Sequence, residues 1–283
     1  MDLLDEFPTH PFKVRMDESM MEMADSVKQH GILVPAIIRP KEDGRFEMVA
    51  GHRRMTACMI AEKEEIPCIV RDLTDEEATI IMVDSNLQRE QLLPSEKAFA
   101  YKMKLDALKR QGKRTDLTSS PLDNKLKGIT AAQQISEKSG DSQPQIYRYI
   151  RLTALIPELL DLVDNSVLKE KEKLQIALRP AVELSYLTQQ EQRDLHDTMQ
   201  TEDCTPSHVQ AIKMRKFSEE GRLNMDVIFS IMQEEKPNQK EQFKIPKDRI
   251  SKYFAPGTPA QKIEDTIVKA LELYRKRQRE QAR

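Results

Sequence analysis

The chain has 283 residues, with 45 Lys and Arg against 47 Asp and Glu, so its formal net charge is only −2. This balance gives no sign of a nucleic-acid partner, and any affinity for DNA must come from local basic surfaces. Eight glycines, eight phenylalanines and the absence of tryptophan argue against an all-β sandwich. The length allows two domains, or three small ones.

No apolar run approaches the roughly 18 residues of a membrane helix, and the acidic N-terminus is unlike a signal peptide. Three cysteines, an odd number, lack the spacing of a metal site or a disulfide framework and read as plain buried side chains: Cys58, Cys68 and Cys204. We therefore expect a cytoplasmic protein with no membrane partner.

The first part of the chain predicts a small α/β unit. Apolar spacing from Asp17 to His30 favours a helix that ends at Gly31. Three short apolar runs follow and favour strands, with a helix from about His52 to Glu62 between the last two: Ala36–Arg39, Phe46–Ala50 and Ile66–Arg71.

The rest of the chain predicts helices. Thr74 and Glu77 form a capping box before a helix over Glu76–Val83, and a long helix runs from Pro94 to about Gln111. The polar stretch 112–128 indicates a linker, further helices extend from Thr130 to about Phe217, and Thr258 starts a last helix. The predicted fold class is α+β, with domains at 1–112 and 113–218 and a C-terminal segment at 219–283.

The sharpest local motif is the strand that ends at Gly51 and leads directly into a helix carrying Arg53 and Arg54. Glycine lets a ligand approach the backbone, the helix N-terminus offers unpaired N–H groups, and arginines add bidentate donors. This chemistry suits a polyphosphate. By itself the motif is weak, because paired arginines at a helix start are more often surface ion-pair partners.

A second motif lies where two predicted helices meet. Asp84, Ser85 and Asn86 are short polar side chains that can ligate a metal, and Arg89 follows them. The alternative is an ordinary helix–loop–helix connection.

A third motif has the spacing of a helix-turn-helix. Thr130 caps one short helix, residues 139–141 form the turn, and Ser142 caps a second helix with Pro144 in its first turn. Pro144, Tyr147, Arg148 and Arg151 share the face of that helix away from the core. Such a helix can enter the major groove of DNA, although any two-helix corner of an α bundle has a similar pattern.

Two basic windows, Lys102–Arg114 and Lys269–Arg283, could add affinity for DNA, although such runs are usually solvated helix faces. Around the second window, Thr258–Arg283 has an apolar stripe at helical spacing. This segment could be a dimer helix, a helix docked on its own domain or a nonspecific grip on DNA.

Taken in order, these motifs resemble the ParB partition family and its nucleoid-occlusion relatives over roughly residues 5–215. His10–Arg15 with His30–Pro35 is similar to the first box of the family, Gly51–Arg54 with Ala57 to the second, and Asn86–Glu90 to the third. The helix-turn-helix follows where the family has one. The resemblance implies a ParB/sulfiredoxin-like N-terminal domain and an all-α DNA-binding domain.

The resemblance also implies a mechanism, in which CTP and Mg²⁺ close a dimeric clamp around double-stranded DNA after loading at a centromere-like palindrome. A ParA-type ATPase would be the partner, and a plasmid, mobile element or chromosome the cargo, with the protein associated with the nucleoid or plasmid. The residues implied for the nucleotide are Gly51, His52, Arg53, Arg54, Asn86 and Arg89, with Asn86 as the metal ligand. Those implied for DNA are Ser142, Gln143, Gln145, Tyr147, Arg148 and Arg151.

Three positions depart from the family pattern. Ser85 stands where glutamate usually precedes the asparagine of the third box, Lys13 stands where glutamine is usual, and His52 stands where glutamate is common. The first two bear on metal binding and hydrolysis, so CTP binding is better supported than a weak CTPase activity. The usual C-terminal dimerisation domain is not recognised either.

Two other functions compete with a clamp. An operator-binding transcriptional regulator could use the same scaffold without turnover of CTP. Sulfiredoxin shares the N-terminal fold, but its chemistry needs a cysteine directly before the His-Arg pair, where this chain has Gly51 and where Cys58 is about two helical turns away. The sequence therefore argues against a sulfiredoxin.

Overall fold

A computed structural model describes residues 1–89, 91–115, 130–168 and 174–234, and short pieces after residue 252. The chain divides into two compact units, Met1–Glu234 and Glu235–Arg283. The fold and the sites below belong to the first unit. The predicted linker at 112–128 was wrong at its start, because residues 112–115 continue the long helix that begins at Pro94. Residues 116–128 and most of the predicted helix from Thr258 lie outside the described residues.

A four-stranded mixed sheet organises the N-terminal part. Its strands are β1 (Leu4–Asp5), β2 (Ala36–Pro40), β3 (Phe46–Ala50) and β4 (Cys68–Val70), in the order β1-β3-β2-β4. The β2–β3 pair is antiparallel, whereas β1 pairs with β3 and β4 with β2 in parallel. The three predicted strands are thus confirmed, although the last is shorter than Ile66–Arg71.

Helices cover both faces of this sheet because side chains alternate along β3. Met48 packs with Met55 of α2 (His52–Ile60), and the neighbouring Val49 packs with Met82 of α3 (Asp75–Leu87). The helix α1 (Glu18–His30) packs on α2. Its limits follow from local chemistry, since Asp17 accepts from the Met20 amide and Gly31 has the positive φ of a helix end.

The long helix α4 (Pro94–Thr115) is shared between the sheet region and the helical region that follows. Its Ala100 packs toward α3, whereas Tyr101 and Leu105 pack against the two helices of the predicted helix-turn-helix. The division at residue 112 falls inside this helix and stays a prediction.

The helical region continues with α5 (Ala131–Ser139) and α6 (Gln143–Arg151), followed by a short 3₁₀ turn at Leu152–Ala154. Its largest core is formed by the later helices, including α11, which lies where the sequence pattern was less regular: α7 (Pro157–Leu168), α8 (Leu178–Leu184), α9 (Gln189–Glu202), α10 (His208–Glu219) and α11 (Met225–Met232). The fold is therefore α+β, as predicted. Among the described helices, none combines the length and the apolarity needed to cross a membrane.

Candidate functional site

Gly51 joins β3 to α2 in a conformation that only glycine adopts readily. Its φ is 122°, and an added Cβ would lie 2.8 Å from the Cβ of Ala36 on β2. Because glycine has no side chain to cap the helix, the first N–H groups of α2 lack a cap from this residue. The strand–glycine–helix motif is thus formed as the sequence predicted.

The two arginines of the motif make different contacts. Arg53 donates from Nη2 to the Ser19 hydroxyl at 2.6 Å, while its Nε is buried and has no partner. Arg54 donates from Nη1 to the carbonyls of Val34 and Pro35 at 2.5 and 2.6 Å, and burial lowers its pKa. Arg54 therefore fastens α2 to the segment that enters β2. Because Nη1 is used in these bonds, a ligand would have to be contacted through another nitrogen of this side chain, such as Nη2.

Arg89 brings a third guanidinium to this cluster from the end of α3. It lies 5.6 Å from the ring centre of Phe12, and burial lowers its pKa. The charges of Arg53 and Arg15 lower this pKa further, while Glu96 opposes them. The charges of Arg15, Arg53 and Arg89 thus act on one another, which favours an anion near them.

The carboxylate of Glu96 is not devoted to the arginines, because it also accepts hydrogen bonds from two backbone amides. Its carboxylate accepts from the amides of Lys13 and Leu93, each at 2.8 Å, and its side chain is buried. In this way Glu96 fixes the segment that contains the first box to the start of α4.

Two histidines stack beside the arginines. The ring centres of His10 and His52 are 3.9 Å apart, with 38° between their planes. The Nε2 atoms of both rings are buried without a partner. Burial lowers the pKa of His52 to about 3, with added repulsion from His10 and Arg89, and burial also lowers the pKa of His10.

Unpartnered buried side-chain atoms are rare in the described part of the chain, and three of the four belong to this cluster. They are His10 Nε2, His52 Nε2 and Arg53 Nε, and the fourth is Arg151 Nε. Buried polar groups are normally hydrogen-bonded, so such a concentration needs an explanation. A ligand with several acceptor oxygens and negative charge would satisfy Arg53 Nε, and also either histidine Nε2 that carries a proton.

The third box contributes Asn86, which is buried at the end of α3. Its Nδ2 donates to the Met82 carbonyl at 2.8 Å, and the Ser85 hydroxyl donates to the same carbonyl at 2.9 Å. Asp84 faces elsewhere, in ion pairs with Lys104 and Lys138. Its carboxylate is therefore not available to a metal beside Asn86.

The residues at this place do not fit a Mg²⁺ site built by the protein. Mg²⁺ is usually held by one or two carboxylates together with substrate phosphates. Within the described residues no group of three or more His, Cys, Asp or Glu could hold a metal ion. Asn86, the predicted metal ligand, would bring only its amide oxygen.

The helix-turn-helix forms from α5 and α6 as the spacing predicts. Thr130 accepts from the Gln133 amide, and Gly140 ends α5 with a left-handed backbone. Ser142 occupies the N-cap of α6, but its side chain makes no capping bond, contrary to the prediction. The turn is instead anchored through Asp141, which accepts from the Tyr101 hydroxyl at 2.6 Å and from Lys97 Nζ at 2.9 Å.

Most of the residues predicted to contact DNA share the open face of α6. Four are exposed, namely Ser142, Gln143, Tyr147 and Arg148, and Gln145 is half-buried. Gln145 accepts a hydrogen bond from Arg148 at 3.3 Å, so the two side chains are held together on this face.

Arg151 lies apart from that face, which the helical spacing did not predict. Its Nη2 donates to the Ser185 carbonyl at 2.7 Å, and its guanidinium lies 4.0 Å from the ring centre of Tyr186. Arg215 lies 3.6 Å from the same ring centre. This stack fixes the end of α6 against α8 and α10, a role more consistent with positioning than with base contact.

Sequence reasoning missed His10 and Glu96 as members of the first cluster and Tyr186 as a support of α6. His10 was included in the first box without a role. Its stacking on His52 depends on the meeting of two boxes that are distant in sequence, and no local pattern reports it.

Comparison with known proteins agrees with this fold. Residues 1–87 match the ParB N-terminal domain. The Chromosome-partitioning protein Spo0J of Thermus thermophilus is 34% identical over 158 residues, which cover 56% of this chain and 51% of that protein. The chain thus spans about half the length of several curated relatives that it matches.

Two solved structures of the C-terminally truncated chromosome-partitioning protein ParB from Caulobacter crescentus are also similar. The complex with the centromeric parS site is 22% identical with a TM-score of 0.39, over 81% of this chain and 95% of that chain. The complex with CTP-gamma-S is 23% identical with a TM-score of 0.29, over 70% and 94%. The similarity to a family rests on residues 1–87, the part of this chain that matches the ParB N-terminal domain.

Proposed function

We propose that this chain is a sequence-specific DNA-binding partition protein that binds CTP at the start of α2 and double-stranded DNA through α5 and α6. The observation that carries the nucleotide part is the concentration of unpartnered buried atoms on His10, His52 and Arg53. The DNA part rests on the open face of α6.

The triphosphate is the part of the ligand that this cluster would bind. Arg53 and Arg89 would supply charge, Gly51 would allow close approach to the backbone, and the N-terminus of α2 would supply N–H donors. We infer that the base is cytosine only from the resemblance of the three boxes to the ParB family.

The DNA interface would use α6 as the helix that enters the major groove. Arg148 and Gln145, which are hydrogen-bonded to one another, can present donors and acceptors to base edges. Tyr147, which is 52% exposed, can contact the backbone of DNA. Asp141 accepts hydrogen bonds from two residues of α4, so α6 would be held in a fixed position when it contacts DNA.

The remaining features of the proposal follow from the family resemblance. They are a homodimer that closes as a clamp on DNA, a ParA-type ATPase as partner, and association with a nucleoid or plasmid. Mg²⁺ would be held mainly by the phosphates, and the resemblance would add only the amide oxygen of Asn86 as a protein ligand. The replicon served stays a prediction.

Hydrolysis of CTP is not part of the proposal. Ser85 donates its hydroxyl to a helix carbonyl, and Asp84 is paired with two lysines. Among the described residues, neither Asp84 nor Ser85 therefore offers a free carboxylate beside Asn86 to orient a water molecule or a metal. The same observation favours the second candidate, an operator-binding regulator on this scaffold that does not turn over CTP.

Nucleotide titration by calorimetry tests the first half of the proposal. CTP, ATP, GTP and UTP are compared with and without Mg²⁺ on the full chain, on Arg53→Ala and on Arg71→Ala, whose native arginine is exposed and outside the cluster. We expect CTP to bind most tightly, Arg53→Ala to lose at least tenfold in affinity, and Arg71→Ala to match the native chain. Equal affinities for all three proteins would contradict the proposed pocket.

Retention on DNA distinguishes the clamp from the regulator. The protein is loaded on site-bearing DNA, either closed or with free ends, and washed at high salt with and without CTP. Retention only on closed DNA and only with CTP supports the clamp. Specific binding that CTP does not change supports the regulator.

A further inference from the structure

The stacked rings of His10 and His52 each bury an Nε2 atom that has no hydrogen-bond partner. Phosphate binding by arginines alone does not explain these two atoms. His52 is only 6% exposed, and the Nδ1 of His10 is 2.9 Å from the Phe12 carbonyl oxygen. This contact makes Nδ1 the protonated nitrogen of a neutral His10, since a carbonyl oxygen can only accept. The Nε2 of a neutral His10 is then a bare acceptor in a cluster of donors.

Charges of both signs act on the pair, and among the described residues only Arg89 acts on both rings. Arg89, from the end of α3, opposes protonation of both rings. Glu6 and Glu96 favour protonation of His10, but the carboxylate of Glu96 already accepts two backbone amides. Without a ligand, burial and Arg89 therefore keep the rings uncharged at neutral pH.

A bound triphosphate would reverse this balance. Its oxygens are strong acceptors, and a protonated imidazole that donates to them forms a charge-assisted hydrogen bond. Its negative charge would also offset the field of Arg89, which now disfavours an imidazolium. The pair could then convert a bare acceptor nitrogen into a donor that faces the ligand.

We infer that His10 and His52 form a further ligand-contact pair, which takes up about one proton when a triphosphate binds at the start of α2. This inference rests on the proposed nucleotide site and adds proton linkage to it. It depends on imidazoles at both positions, because a carboxylate at position 52 would have no proton to donate at neutral pH.

Proton uptake on binding fixes the direction in which ligand affinity depends on pH. A group whose pKa is higher in the complex than in the free protein binds a proton together with the ligand, so affinity rises as pH falls. With one proton linked, affinity changes by up to about tenfold per pH unit between the pKa values of the free and the bound protein. We expect tighter binding at pH 6 than at pH 7.5.

Calorimetry of the full chain tests this inference with CTP and with inorganic tripolyphosphate. Each titration is repeated at pH 6.5 in buffers of different ionisation enthalpy, and the slope of the observed enthalpy gives the protons taken up. The variants are His52→Gln and His10→Asn, and the control is His30→Gln, which alters an exposed histidine at the far end of α1. Subtracting the variant slope from the native slope removes the ionisation of the ligand itself.

We expect the native chain and His30→Gln to take up about one proton more than His52→Gln, and His10→Asn to lower the uptake as well. Because a histidine variant can fail to fold, ¹⁵N spectra of the imidazoles in the native chain provide a second measurement, in which the ligand should convert one of the two rings to the charged form. Binding without proton uptake and without a change in these spectra would overturn the inference but leave the nucleotide site intact. Failure of both CTP and tripolyphosphate to bind would overturn both.

Discussion

Replacement of Gly51 by alanine tests how far the backbone geometry at the start of α2 depends on glycine. The new Cβ would lie 2.8 Å from the Cβ and 3.2 Å from the Cα of Ala36, inside normal contact distance. The φ of 122° adds backbone strain. Strain of this kind costs about 1–3 kcal/mol and an overpacked core contact about 1–3 kcal/mol, so we expect Gly51→Ala to lose about 2–6 kcal/mol of unfolding free energy.

Gly44→Ala is the matched control. Gly44 also has a positive φ, of 81°, but nothing lies within 4 Å of an added Cβ. Its replacement should cost only the strain, about 1–2 kcal/mol. The difference between the two variants therefore measures the contact with β2 together with the difference in strain between a φ of 122° and one of 81°.

Urea unfolding followed by circular dichroism measures both variants, with the midpoint and the slope compared to confirm that the same transition is observed. Nucleotide binding is measured in parallel, and we expect Gly44→Ala to bind normally. If the two variants agree within about 0.5 kcal/mol, the contact with Ala36 does not constrain Gly51, and the reasoning fails.

Three further predictions concern other parts of the molecule. Asp164 accepts from the Ser95 amide at 2.9 Å and from its hydroxyl at 2.6 Å, so Asp164→Ala should cost about 2–4 kcal/mol in urea unfolding, against less than about 0.5 kcal/mol for the exposed Asp161→Ala. Arg148→Ala should lose about 1–3 kcal/mol on the specific site but little on random DNA in fluorescence anisotropy, whereas Arg151→Ala should weaken both equally and lower the melting temperature. Hydrogen bonds from Arg45 and Lys41 lower the pKa of Asp5 from 3.8 to about 2. The stabilising effect of the Asp5 carboxylate is therefore present above pH 3.8 and lost as the pH falls through 2. We expect Asp5→Asn to reduce the fall in melting temperature between about pH 4 and pH 2. The same fall in the variant and in the native chain would contradict this prediction.

Much of the secondary structure could be predicted because its signals are local. Asp17 and Gly31 delimit α1 within a residue of its observed ends, and Thr74 with Glu77 forms the capping box before α3. The strand–glycine–helix junction at Gly51 and the helix-turn-helix were likewise predicted from neighbouring residues. These features depend on backbone conformations and caps that a few adjacent side chains determine.

The side-chain partners at the sites could not be predicted in the same way. Helical spacing placed Arg151 with Arg148, but the ring of Tyr186 and the carbonyl of Ser185 hold it on the other helices. Asp84 adjoins Ser85 in sequence, yet its carboxylate pairs with Lys104 and Lys138. Such choices depend on contacts between distant segments, which no local pattern encodes.

The sequence by itself determined the resemblance of the N-terminal part to the ParB N-terminal domain, the α+β class and the residues of the three boxes, because these follow from ordered motifs and local propensity. Only the tertiary structure decided that His10 meets His52, that the charges of Arg15, Arg53 and Glu96 act on Arg89, and that Arg54 is used for fastening. The physical reason is that burial and electrostatic fields arise when distant segments pack together. The chemistry of the site is therefore a property of the folded chain.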